Sequence, residues 1–205
     1  MSAVYDYLFL ELERGMAART ALVEGLKGLK SALAAAHGEL LGLFVPQLGW
    51  EAAEAALLIR WREERDEAAL ESITSLPQIK GALTDSLVAT VRPSDDATLP
   101  AGGIFVHRWF ETATANLEEF KALSAEGWKD FEPRFDARVF GLFLAEESQD
   151  DQMAGSRRLL LITRYADHGV WEASRDPSSE AMKSFSRRAL LTRRTHGAST
   201  LLIPL

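Results

Sequence analysis

The sequence predicts an α+β fold of two tandem ferredoxin-like βαββαβ units, packed sheet to sheet as an α+β barrel. Three observations predict it. The same element order reads twice, on either side of RPSDDATLPAGG at 92–103, a stretch rich in proline, glycine and aspartate. Short matches recur: GLF at 42–44 and 141–143, LLI at 57–59 and 160–162, and Trp-x-x-x-Arg-Asp at 61–66 and 171–176. The first strand of each half is also apolar on both faces. Tyr5, Tyr7 and Phe9 alternate with Leu8 and Leu10, and Phe105, His107 and Trp109 alternate with Val106 and Phe110. Helices cover one face of such a sheet, so a second sheet is needed to cover the other. The expected division is residues 1–93, a linker at 94–102, and residues 103–205.

In the first half, AVYDYLFLEL at 3–12 is a strand, being rich in aromatic and branched residues, and Gly15 ends it. Leu22, Leu26, Leu29 and Leu33 share one helical face, with Gly38 as the C-terminal cap. LLGLFV at 40–45 is a short strand before a turn at Pro46 and Gly49, and AALLIRW at 55–61 is the next strand. Asp66 caps a helix carrying Leu70 and Ile73, Pro77 breaks it, and SLVATVR at 86–92 is the fourth strand.

In the second half, GIFVHRWFE at 103–111 is a strand. Asn116 and Glu119 form a capping box for a helix with Leu117, Phe120, Trp128 and Phe131. RVFGLFLAE at 138–146 and RLLLITRY at 158–165 are strands. Asp176 followed by Pro177 starts a helix with Met182, Phe185 and Ala189 on one face, and STLLIPL at 199–205 is the last strand. The recurring Trp-x-x-x-Arg-Asp reads as one structural corner built twice, with Trp61 and Trp171 anchoring a loop and Arg65 and Arg175 stacking on them or bonding to nearby carbonyls, and with a ligand-gating role as the alternative. Because only Arg60 separates LLI from Trp61, either the first half lacks a loop or Trp61 is the counterpart of Tyr165 and part of the match is chance.

Composition narrows the chemistry. The chain has 205 residues, 47% hydrophobic and 26% charged, as in ordinary globular proteins. It contains no cysteine, which excludes disulfides, thiol catalysis and thiolate-bound metals. A net charge of −7, with both halves acidic, argues against a nucleic-acid partner. The basic cluster Arg187, Arg188, Arg193 and Arg194 reads as a solvated helix face near a C-terminus, with an anion site as the alternative. The N-terminus lacks the pattern of a signal peptide and no stretch is apolar enough to span a membrane, so a cytoplasmic location is expected.

The run IFVHRWFETATANLEEFKALSAEGWKDFEPRF, then GLFLAE, then LLLITRYADHGVWEASRD, resembles the NIPSNAP family. The resemblance covers 103–205 and extends more weakly over 3–93. It implies membership of the wider dimeric α+β barrel group, which also holds monooxygenases, haem-degrading enzymes and small-lactone isomerases. The family's first strand carries a Glu and an Arg two residues apart, whereas here Asp6 is followed by Leu8 and Val106 by Arg108. The family has no agreed reaction, so it transfers no catalytic residue.

The candidate site is the barrel interior, where the polar residues to watch are His107, Trp109, Arg108, Tyr7, Asp6, Arg164 and Tyr165. His107 stands mid-strand among aromatics and reads as a core histidine, with a general base or haem ligand as the sharper alternatives. His37, His168 and His196 show no metal spacing, and no phosphate loop or nucleophile elbow is present. The functional expectation is a small apolar or aromatic ligand, or self-association as a homo-oligomer. The alternative is a cofactor-free monooxygenase or haem-handling enzyme.

Overall fold

The computed structural model describes residues 3–205; Met1 and Ser2, the start of the first expected unit, lie outside the described residues. Its strands and helices run in the order β1 (Val4–Leu12), α1 (Met16–Ala35), β2 (Gly38–Leu48), β3 (Glu54–Trp61), α2 (Glu67–Thr74) and β4 (Ile79–Arg92). There follow β5 (Ile104–Ala113), α3 (Leu117–Arg134), β6 (Ala137–Ala145), α4 (Gln149–Ala154), β7 (Ser156–Tyr165), α5 (His168–Ala173), α6 (Glu180–Leu190) and β8 (Thr192–Ile203). By density of internal contacts the chain divides into one unit up to Val88 with Thr200–Leu205, and another of Ala89–Ser199. The α+β class expected from the sequence is the class observed.

In the first unit the strands lie in the order β4-β1-β3-β2, with β1 antiparallel to both β3 and β4 and β2 antiparallel to β3. Leu8, Leu10, Leu43, Leu57 and Ile59 turn to one side, where Leu22, Leu26 and Leu33 of α1 and Leu70 and Ile73 of α2 meet them. The other side of the same sheet is buried as well, at Tyr5, Tyr7, Phe44 and Leu58. The second unit repeats the order as β8-β5-β7-β6. Its helix side packs Val106, Phe110, Leu159 and Leu161 against Phe120, Trp128 and Phe131 of α3 and Ala181 of α6. Phe105, His107, Phe143, Leu160 and Ile162 bury the opposite side. Each sheet therefore excludes water from both faces, as the two-sided apolar patterning requires.

Several local readings are corrected. Gly38 is not the cap of α1: His37 takes the left-handed position at φ 57, and Gly38 opens β2 where an added Cβ would stand 2.6 Å from the Trp61 ring. β2 continues through Pro46, and β4 begins at Ile79 and not at 86. Asn116 makes no side-chain cap, because residues 114–116 form a 3-10 turn leading directly into α3. Ser179, and not Asp176, caps α6 by accepting from the Met182 N–H, while Asp176 accepts from the Ser178 N–H in the preceding turn. Arg193 and Arg194 lie on the exposed part of β8 and not on a helix. Asp66 does cap α2, accepting from the Ala69 N–H at 2.9 Å. No helix among the described residues is long and apolar enough to cross a membrane.

Candidate functional site

Register decides which polar residues meet. β5 and β7 pair with Ile104 opposite Tyr165 and Arg108 opposite Leu161. Directly opposed residues share a face, so Arg108 and Tyr165 both turn to the helix side of the second unit. His107 and Trp109 turn to the other side, and so does Arg164, opposite Phe105. In the first unit, Asp6 shares the helix side with Leu8, and Tyr7 the opposite side, where it faces Asp85. Of the seven residues expected at one site, Arg108 and Tyr165 come together. Asp6 and Tyr7 point away from each other, as do Arg108 and His107.

The residues that join Arg108 and Tyr165 come from the helices and from the segment after α5. α6 buries Arg188, only 5% exposed, with Ala181 and Phe185 on the same helical stripe. Its guanidinium sits 4.8 Å from the Phe110 ring, 5.3 Å from Phe120 and 4.8 Å from Phe185. It also donates to the Ser124 hydroxyl at 3.1 Å, and that hydroxyl donates to the Phe120 carbonyl at 2.8 Å. Burial lowers the Arg188 pKa to about 9, helped by the charge of Arg108, which leaves it protonated at neutral pH. Burial likewise lowers the pKa of half-buried Arg108, and Arg175 adds to the fall. Burial raises the Tyr165 phenol, against the pull of Arg108, a hydrogen bond with Ser174, and the charges of Arg188 and Arg175. The phenol is therefore neutral at physiological pH and able to donate. Arg175 itself is exposed and lies 5.0 Å over the Trp171 ring.

Among the described residues no carboxylate pairs with Arg108, Arg175 or Arg188. The basic cluster read from sequence as a solvated face is thus split: Arg187 is exposed beside Glu119, and Arg188 is in the core. The sequence reading names Arg188 in a basic cluster, with an anion site as the alternative, and Arg175 as stacking on its tryptophan, but places neither with Arg108 and Tyr165, and it does not name Ser124. The available signal was spacing, since Ala181, Phe185 and Arg188 fall at i, i+4 and i+7, the stripe of a packed helix face.

The first unit handles the corresponding position differently. Val4 pairs with Trp61 where Ile104 pairs with Tyr165, so Trp61 is the register counterpart of Tyr165 and not of Trp171. The two Trp-x-x-x-Arg-Asp stretches are therefore different corners. Trp61 ends a strand with no exposed surface, and Trp171 lies on α5. Trp61 Nε1 donates to Asp6 Oδ2 at 2.7 Å, and Arg65 reaches Asp6 Oδ1 at 3.2 Å and Glu67 as well. Arg65 stands between two acids, whereas Arg175 stacks on its tryptophan.

The remaining candidates are accounted for locally. Arg164 pairs with Asp136 and donates to the Gly102 carbonyl. Trp109 receives Arg158 over its ring at 5.8 Å. Burial, and then the nearby Asp85 charge, push the Tyr7 phenol well above its ordinary value. His107 is 1% exposed, and burial lowers its pKa to about 3. No group of three or more His, Asp or Glu able to hold a metal occurs among the described residues.

With that geometry in hand, likeness to solved structures is informative. A protein called a "putative monooxygenase" from Lactobacillus acidophilus NCFM superposes with a TM-score of 0.63 at 9% identity, over 98% of this chain and 94% of that one. An anthrone oxidase-like protein does so with a TM-score of 0.61 at 11% identity, over 100% and 92%. A mutant chlorite dismutase from Candidatus Nitrospira defluvii does so with a TM-score of 0.65 at 10% identity, over 100% and 93%. The fold is that of the dimeric α+β barrel group. No family model and no curated protein sequence matches the chain.

The sequence left haem ligation by His107 as an alternative, and the surroundings of that residue do not fit it. An axial histidine needs an open ring nitrogen and room for a porphyrin beside it. His107 has 1% of its surface accessible, and Phe105, Phe143, Leu160 and Ile162 on the same sheet side have none. His168 Nε2 is 3.0 Å from the Ser199 hydroxyl, and His37 and His196 lie on the exterior.

Proposed function

We propose that this chain is a NIPSNAP-like, haem-free protein that binds a small aromatic molecule, and that the ligand seat lies on the helix side of the second unit, at Arg108, Tyr165 and Arg188. The observation that carries this reading is a buried guanidinium with no acidic partner, set among three phenyl rings and within the field of a second arginine and a neutral phenol. Burying an unpaired charge is costly, and a fold retains one where something else completes it. Aromatic edges and a stacked indole at Trp171 suit a planar ligand body.

Binding is favoured over cofactor-free oxygenation. That reaction class needs a base to take a proton from the substrate. The cluster offers cations and a phenol whose pKa is raised, and its nearest histidine on β5, His107, turns to the opposite side of the sheet. The names of the fold neighbours support the oxygenase alternative, but at 9–11% identity they carry the fold alone.

The test is native mass spectrometry and calorimetry with haemin, sodium benzoate, benzamide and 2-naphthol. The expected result is one-to-one binding of at least one of the three aromatic probes, weakened by Arg188→Met, and no Soret band after haemin addition. A haemin complex that depends on His107, or binding of none of the aromatic probes, overturns the proposal.

A further inference from the structure

We propose that the Arg108–Tyr165–Arg188 cluster is an oxyanion seat, built to hold a carboxylate or phosphate group of the ligand. This rests on the ligand-seat reading above and adds its charge. The first argument is donor inventory. A guanidinium carries five N–H donors, and Ser124 is the hydrogen-bond acceptor shown for those of Arg188. The three ring faces stabilise the charge without satisfying its N–H groups.

The second argument is the contrast between the two units. At the register position of Asp6, opposite Ile59, the second unit has Val106, opposite Thr163. The first unit thus supplies its own carboxylate: Asp6 receives the Trp61 N–H and the Arg65 guanidinium. The second unit replaces that acid with valine and gathers three arginines instead. An acid supplied from outside would restore in the second unit the balance that Asp6 gives the first.

The third argument is the gradient of exposure. Arg175 is exposed, Arg108 half-buried and Arg188 buried, with the Tyr165 hydroxyl within reach of their fields. Such a series draws an anion from water toward the innermost guanidinium, and the planar donor fork of arginine matches the two oxygens of a carboxylate or phosphate.

The experiment uses sodium benzoate, sodium phosphate and benzamide, titrated by calorimetry and by thermal shift against sodium chloride at matched ionic strength. The wild-type chain is compared with Arg108→Gln, Arg175→Gln and Arg188→Met. Benzoate or phosphate is expected to bind saturably and raise the melting temperature. Arg108→Gln is expected to weaken that binding by about tenfold or more while the ligand-free melting temperature stays close to wild type. Arg188→Met is expected to abolish the anion effect; if it fails to fold, Arg108→Gln and Arg175→Gln carry the test. Benzoate alone assigns an aromatic carboxylate, and phosphate assigns a phosphate ester or the free ion. Equal binding of benzamide and benzoate overturns the oxyanion claim while leaving the ligand seat standing. Failure of every probe overturns both. An anion effect equal to that of chloride, or one unchanged in Arg108→Gln, also overturns the oxyanion seat.

Discussion

Asp6 is a carboxylate with no exposed surface, on the side of β1 that packs against helices. Burial raises its pKa, and the hydrogen bond from Trp61 and the charge of Arg65 pull it back only in part. Its two donors are what make the charge tolerable in an apolar layer. Replacing Trp61 by phenylalanine keeps the ring packing and removes the indole N–H, leaving one carboxylate oxygen without its donor. A bond to a charged group is worth roughly 1.5–3 kcal/mol, so Trp61→Phe should destabilise by about that much in urea unfolding. Adding Asp6→Leu to Trp61→Phe should recover part of the loss, because the orphaned acceptor is gone. A double variant no more stable than the single one would show that Asp6 is held chiefly by Arg65. The same reasoning applied to Arg188 gives the opposite expectation in the second unit, where the buried charge lacks an acid in the first place.

At the scale of the element, α3 and α6 approach closely because Gly127 has no side chain. A Cβ added there would lie 2.3 Å from the Phe185 ring, whereas one added at Gly28 in α1 meets nothing within 4 Å. Gly127→Ala should therefore cost about 1–3 kcal/mol through displaced packing. Gly28→Ala should stabilise by about 0.5–1 kcal/mol, since an open helical glycine only loses backbone entropy. Equal effects of the two substitutions on the urea midpoint would refute the close-packing account. The same helix pair shows what the sequence makes legible. The run Phe120, Trp128 and Phe131 marks the buried face of α3 correctly. The face of α6 reads only in part: Phe185 does pack on the core, but Ala189 is exposed and Ala181 and Arg188 are buried instead, because arginine at Arg188 looks like a solvent residue until three phenyl rings are known to surround it. β8, Thr192–Ile203, reads as a strand only from 199 for a related reason. Its first six residues, 192–197, carry arginines, a histidine and a glycine and remain half-buried or exposed, so apolar alternation appears only near its end. α4 and α5 are short helices capped by Ser148 and Asp167, too brief to show a period.

For the whole molecule, the two-sided apolar strands were the decisive signal. They predicted sheets buried on both faces, and a buried polar residue on such a face then ties global stability to pH. His107 is that residue on the side of β5 away from the helices. Its folded pKa of about 3 lies below the 6.5 of the free side chain, because burial disfavours the imidazolium. The unfolded chain therefore binds a proton that the folded chain refuses. Above pH 6.5 His107 contributes no penalty; as pH falls from 6.5 toward 3, its proton pulls the equilibrium toward unfolding by about 1.4 kcal/mol per pH unit. Asp6 acts in the opposite sense. Its folded pKa is raised above 3.8, so its contribution to stability is full below 3.8 and lost as pH rises through the folded value, which softens the acid loss. Comparing variants isolates the histidine, since Asp6 is common to both. His107→Gln should lower stability at pH 7 by removing a fitted core ring, yet flatten the fall in urea midpoint between pH 6 and pH 4. Parallel pH profiles for the wild type and His107→Gln would mean that the imidazole takes up its proton without unfolding, and hence that this side of the sheet is open to water.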